Sequence, residues 1–309
     1  KSGKIIYLTS DLDLGGKFDS DGNALDGNIS WTPIGTYENQ FSGIFDGNGH
    51  IISNMYINEE ERAGLFAYSS NSTLKNFGIN NSYIKSSTLA AASVVAEGFS
   101  ITLKNIYSNA TIDGKKNSAG IAGAIAGNIS NVYNLGTVNS NSTQFAAGVV
   151  GYLMWSSSKV KNSYNVAKIY GSYEPGGIVG GSPAQILNVY NLGVVLSSSA
   201  GGGIVGQLYD LTSPKVHNSY NIGTADGGIV GNINQNQSKF KLENNYYLTG
   251  TASYGIFSTK SNDNAEPLSA DEMPSVISVI NGDNAFVEDT NNINNGYPIL
   301  KWQAERENN

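Results

Sequence analysis

Two kinds of side chain in this 309-residue chain could do chemistry: acids in Asn/Gly-rich turns, and aromatic rings in turns beyond short strands. Asp19-Ser-Asp21-Gly-Asn23-Ala-Leu-Asp26 sets oxygen ligands at alternating positions around a turn glycine, as calcium loops do. Asp11 and Asp13 could contribute, but the distal bidentate glutamate of an EF-hand is missing. Asp/Asn/Gly turns are also common for purely conformational reasons. Calcium is the one cofactor the sequence suggests, with Asp19, Asp21, Asn23 and Asp26 as its ligands. The rings are Tyr152, Trp155, Tyr173 and Tyr209, the last beside Asp210. A ring in a turn can meet the flat face of a sugar, and aromatic residues are enriched at recognition sites. Trp155 is the best single candidate, because the serines that follow it give no reason for burial. Rings that simply pack over their turns are the competing reading.

What positions these residues is a repeat. Gly120-Ile-Ala-Gly, Gly148-Val-Val-Gly, Gly177-Ile-Val-Gly, Gly203-Ile-Val-Gly and Gly228-Ile-Val-Gly recur every 25 to 29 residues, with looser copies at Gly64, Ser93 and Gly255. Between them run Asn131-Val-Tyr-Asn, Asn162-Ser-Tyr-Asn, Asn188-Val-Tyr-Asn and Asn218-Ser-Tyr-Asn, with weaker copies at Asn105 and Asn244. A fixed period of this size means stacked structural units. Within one unit, Ile178-Val179 is a short apolar strand, Ile186 to Leu192 alternates as a strand does, and Val194-Val195 makes a third. Three strands and three turns with no helical period predict an all-β fold: a right-handed parallel β-helix of about eight to nine coils.

Residues 54–258 are read as the coils, 1–53 as an N-terminal β cap with the first strands, and 259–309 as a C-terminal cap of helix and strand, all one domain. The cap helix should start at Ser269-Ala-Asp-Glu and bury Met273, Val276, Ile277 and Ile280; Tyr297 to Trp302 reads as a last strand. Two residues before each repeated Asn stands an apolar side chain, from Leu103 to Leu242. Strict alternation then places both the Asn column and the six tyrosines from Tyr107 to Tyr246 inside the coil.

Charge excludes some functions. Residues 63–250 hold eleven bases against six acids, while each flank carries a net −6, and the body has no arginine. Nucleic acid is a poor partner for such a surface. Lysines before the Asn-x-Tyr positions could form a basic stripe for an anionic glycan, or simply a solvated edge. The chain has no cysteine, which a long solenoid does not need, and no apolar run of membrane-spanning length. Catalysis finds little support. A His-Glu-x-x-His metal site is absent, and His50 and His217 read as structural or exposed. A glycosidase needs two facing carboxylates. The body's acids (Glu97, Asp113, Glu174, Asp210, Asp226 and Glu243) do not stack on neighbouring rungs.

The glycine–apolar–glycine segments, together with Leu8-Thr-Ser-Asp-Leu-Asp-Leu-Gly-Gly16, Trp31-Thr-Pro-Ile-Gly35, Phe41 to His50 and Asn295-Gly-Tyr-Pro-Ile-Leu-Lys-Trp302, resemble bacterial GLUG-repeat proteins. The likeness covers nearly the whole chain, although Ser93-Val-Val-Ala96 lacks both glycines. It implies an exported or cell-surface setting, as in adhesin-like and IgA-protease-like proteins, with further domains in the parent protein. On this reading the chain is a non-catalytic module that binds a glycan or a host surface protein. A rigid spacer is one alternative, and a polysaccharide-degrading lyase or glycosidase another.

Overall fold

Each glycine–apolar–glycine segment becomes the first strand of a turn. The computed structural model describes residues 3–141, 144–209, 214–234 and 240–307, and these form a parallel β-solenoid of about eight turns. Phe66, Val95, Ala122, Val150, Val179, Val205, Val230 and Ile256 pair in register up the first face. Leu74, Leu103, Ile129, Val160, Ile186, Val216 and Leu242 do so on the second. Ile57, Ile84, Ile112, Val138, Ile169 and Val195 line the third. Nearly all of these side chains are fully buried, and together they make one continuous core. The N-terminal strands Ile5–Tyr7 and Leu12–Asp13 pair in parallel with Ile44–Asp46 and Ile52–Ser53, so the first rung belongs to the same stack.

The two repeated motifs interlock. The last Asn of each Asn-x-Tyr-Asn segment (Asn134, Asn165, Asn191, Asn221) points into the core and is fully buried. Each amide donates to the next, at 2.9, 2.8 and 2.8 Å. Each also closes a turn on the backbone two residues ahead, as Asn191 does with both N–H and C=O of Gly193. A Cβ on the first glycine of the same rung, Gly120, Gly148, Gly177 or Gly203, would overlap that amide and the carbonyl of the next rung. The glycine is thus the space the asparagine occupies.

The first Asn of each motif corrects the alternation argument. Asn76, Asn105, Asn131, Asn162, Asn188, Asn218 and Asn244 all have φ between +50° and +58°. A left-handed residue bends the strand and resets which way the next side chains point. The residue after it turns inward (Ile106, Val132, Val189 are fully buried), so the tyrosine after that points out. The tyrosines are buried, but in a second core on the outside of the solenoid. Tyr107, Tyr133, Tyr164, Tyr190 and Tyr220 stack at 5.2, 4.8, 4.9 and 5.1 Å.

What covers that stack is the C-terminal segment. Ser269 and Glu272 tie the turn before Met273, with Glu272 accepting from both the backbone N–H and the hydroxyl of Ser269. Met273, Val276 and Ile280 then bury against the tyrosine side. Phe286–Val287 and Ile299–Leu300 pair antiparallel. The segment from Pro298 onward runs down the ladder: Tyr220 donates to the Pro298 carbonyl, Tyr190 to Gln303, and Trp302 Nε1 to the Asn162 carbonyl. Trp302 lies in a helix, Lys301–Glu307, and not in the expected strand. Residues 301–307 are strong helix formers, which outweighs the short strand signal before them.

Candidate functional site

Three of the four turn aromatics converge. Tyr152 stands on the first face, level with Gly181 of the next rung. Gly181 leaves a step that the ring of Phe145 fills, since a Cβ there would meet that ring at 2.6 Å. Around Phe145 lie Tyr173 at 5.7 Å, Tyr152 at 5.8 Å and Tyr209 at 6.0 Å. Tyr152 and Tyr209 also meet edge-on at 6.0 Å. With Asn117 and Gln144 these rings line an open cavity of about 310 Å³. Trp155 does not join them. It packs at 6.3 Å from Phe99 and stays 46% exposed. Asp210 lies outside the described residues. Phe145 was missed from sequence because it precedes Ala146-Ala147 in a turn with no aromatic partner nearby in the chain.

Beside this cluster the chain buries a carboxylate. Glu174 adopts φ +39° and is only 5% exposed. Its Oε1 accepts from Asn232, whereas Oε2, like the Gln207 Oε1, is buried without a hydrogen-bond partner. Burial pushes the Glu174 pKa up, against opposing contributions from Asn232 and the Tyr173 hydroxyl. A carboxyl whose folded pKa is raised binds its proton more tightly when folded, so its stability contribution falls as pH rises through that window. Glu174→Gln is therefore expected to be more stable than the parent near pH 7, by on the order of 1 kcal/mol, with no gain below about pH 4. Denaturation midpoints at the two pH values check this.

A larger groove, of about 740 Å³, opens where the tyrosine ladder runs out. Tyr107 and Tyr133, Trp302 and Arg306, and the amides of Asn48, Asn76 and Asn105 line it. Arg306 sits 4.6 Å over the Tyr133 ring. The sequence signal for this place was available: Asn76-Phe-Gly78 continues the Asn column, with glycine where every later rung has tyrosine.

The Asp19–Asp26 loop has a structural role in the fold. Asp19 accepts from the backbone N–H groups of Asp21 and Asn23 at 2.9 and 2.8 Å and from the Asn23 amide at 2.9 Å. These bonds hold its pKa below the usual carboxylate range. The loop lies over the stacked rings of Phe18, Tyr56 and Tyr83, and Gly22 sits against the Tyr83 ring. Among the described residues no three His, Cys, Asp or Glu side chains come together as a metal site. The melting midpoint is expected to be the same in chelator and in millimolar calcium, and to fall on Asp19→Ala, which opens the turn. A calcium-dependent rise in the midpoint would support the calcium reading of Asp19, Asp21, Asn23 and Asp26.

The remaining candidates have local partners. Glu97 pairs with Arg62 at 2.5 Å, Asp113 with Lys85 at 3.3 Å, and Glu243 lies 3.6 Å from His217. Asp226 accepts from the Gly201 N–H at 2.7 Å. His50 contacts Asp11 at 3.1 Å. The lysine stripe is broken: the column of Lys75 and Lys104 continues as Ser130, Lys161, Leu187, His217 and Glu243. Lys239 lies outside the described residues. Among the described residues no helix is long and apolar enough to cross a membrane.

No protein-family model matches the chain, and no curated protein matches it. Among solved structures it is similar to "a putative immunoglobulin A1 protease" from Bacteroides ovatus, with a TM-score of 0.52 and 20% identity over 98% of this chain and 87% of that one. At that identity the likeness is one of fold.

Proposed function

We propose that this chain is a non-catalytic binding module of a bacterial surface or secreted protein, and that its ligand is a glycan held by Tyr152, Tyr173 and Tyr209 around Phe145. The observation that carries the reading is the convergence of these rings, from three different rungs, on one open cavity. A pure spacer has no need of such a feature on its side. The surface setting draws on the GLUG-like motifs and on the fold shared with the Bacteroides ovatus protein. An enzyme is the weaker alternative, because among the described residues no carboxylate lines the cavity between these rings.

The test is an array of host glycans, mucins and plant polysaccharides, probed with calcium present. Tyr209→Ala and Tyr152→Ala are each expected to weaken binding by roughly ten-fold or more, while Trp155→Ala changes it little. Silence across the array would favour the spacer or a host protein ligand. Release of reducing ends from any polysaccharide would favour the enzyme.

A further inference from the structure

Among the described residues, the tyrosine ladder is sealed over most of its length and open at one end. Trp302 packs on both Tyr133 and Tyr164, at 6.0 and 5.9 Å, and Gln303 and Pro298 receive the hydroxyls of Tyr190 and Tyr220. Tyr107 lies beyond this cover. One face of its ring stacks on Tyr133 at 5.2 Å. On the other side the ring lies against its register partner Gly78, where a Cβ would meet it at 2.2 Å, so the ladder has no further ring.

We propose that this open end is a second saccharide site, where a pyranose packs in the groove between Tyr107, Trp302 and the asparagine amides. Two features of the groove favour a sugar over an aromatic peptide side chain. Its wall beside the ring is made of amides, with Asn131 donating to Asn105 at 3.1 Å and Asn105 to Asn76 at 2.9 Å. Each such amide keeps one N–H and acceptor capacity for a hydroxyl. Lys104 and Arg306 at the rim add charged donors. A pyranose offers an apolar C–H face to the aromatic rings and hydroxyls at its edge, which suits an aromatic groove with polar walls. This site lies on the tyrosine side of the solenoid, apart from the Phe145 cluster, and stands whether or not that cluster binds a glycan.

Trp302 lines the groove and supplies the readout. The chain has three tryptophans. Trp31 packs against the core, and Trp155→Phe removes the exposed one. In that background Trp302 emission is followed during titration with cello-, xylo-, manno- and chito-oligosaccharides, and separately with aromatic dipeptides. A saturable shift with at least one saccharide series is expected. Tyr107→Ala should weaken it by about ten-fold or more and Tyr107→Phe by less than about three-fold. Gly49→Asn provides a second variant: Gly49 lines the groove, a Cβ there meets nothing within 4 Å, and asparagine tolerates its φ of +85° better than most side chains, so the added amide should narrow the groove and also abolish the shift. Tyr209→Ala should leave the titration unchanged even if it removes binding on the array, which separates the two sites. No response to any of these saccharides, a response that survives both Tyr107→Ala and Gly49→Asn, or a response to the dipeptides alone overturns the proposal.

Discussion

Asn191→Leu is expected to destabilise the chain by about 3–5 kcal/mol, although leucine is close to asparagine in size and the site is fully buried. The asparagine makes four hydrogen bonds there. It donates to the Gly193 carbonyl and to Asn221, and accepts from the Gly193 N–H and from Asn165. Leucine keeps the volume and leaves those partners in an apolar core without water, at about 1 kcal/mol or more each. Relief from neighbouring rungs is unavailable to them, because each neighbouring amide is already committed to its own turn. The measurement is the denaturant midpoint of variant against parent. A loss below about 1 kcal/mol would mean the ladder is a by-product of close packing and not a source of stability. Since a solenoid is approximately a sum of rungs and interfaces, a broadened transition is also expected.

The second large effect is expected at Tyr190, which is fully buried outside the solenoid. Its ring lies between Tyr164 at 4.9 Å and Tyr220 at 5.1 Å, and its hydroxyl donates to Gln303 at 2.6 Å. Tyr190→Ala removes the middle of the stack and the bond to the covering helix, with an expected loss of about 3–5 kcal/mol. Tyr190→Phe keeps the ring and leaves Gln303 without its donor, for about 1–2 kcal/mol. Limited proteolysis distinguishes where the damage falls. In Tyr190→Ala the first new cuts should appear in the C-terminal 40 or so residues, while the coils resist, as expected when the least stable unit opens first. Cuts that begin in the coils instead would show that the ladder and the inner core form one cooperative unit.

How far these residues could be read from sequence depends on the range over which each constraint acts. The rung spacing and the inward Val, Ile and Leu columns follow from local period alone, so the β-helix was legible. The tyrosine column was legible as a buried ladder but misplaced, because one left-handed asparagine per rung shifts the alternation and nothing in the residue name Asn announces its φ. The contacts of the C-terminal segment were not legible for a different reason. Its contacts join residues far apart in sequence, such as Trp302 with Asn162, and periodicity carries no information about them. Tyr152, Tyr173 and Tyr209 stood out in sequence only as rings near glycine turns; their meeting depends on the coil, since Tyr152 and Tyr209 come from first-face strands and Tyr173 follows the third-face strand Ile169–Gly171. Phe145 and Glu174 were not, because their burial comes from turns folding over the first face, at places where glycines 180, 181 and 206 leave room for them.

If the proposed saccharide site at Tyr107 holds, the way the C-terminal segment lies on the ladder ties repeat number to ligand length. The segment is anchored at Tyr220, and its described residues reach down the stack as far as Tyr133. Below that point one ringed tread remains, Tyr107 with Asn105, before the column ends at Gly78. A recombination event that duplicated one coil between Tyr107 and Tyr133 would leave the anchor and the cover unchanged and expose one more ring. Gain or loss of whole coils, which such repeats undergo without disturbing the fold, would thus lengthen or shorten the exposed platform in steps of one tread, and with it the length of ligand it could accommodate.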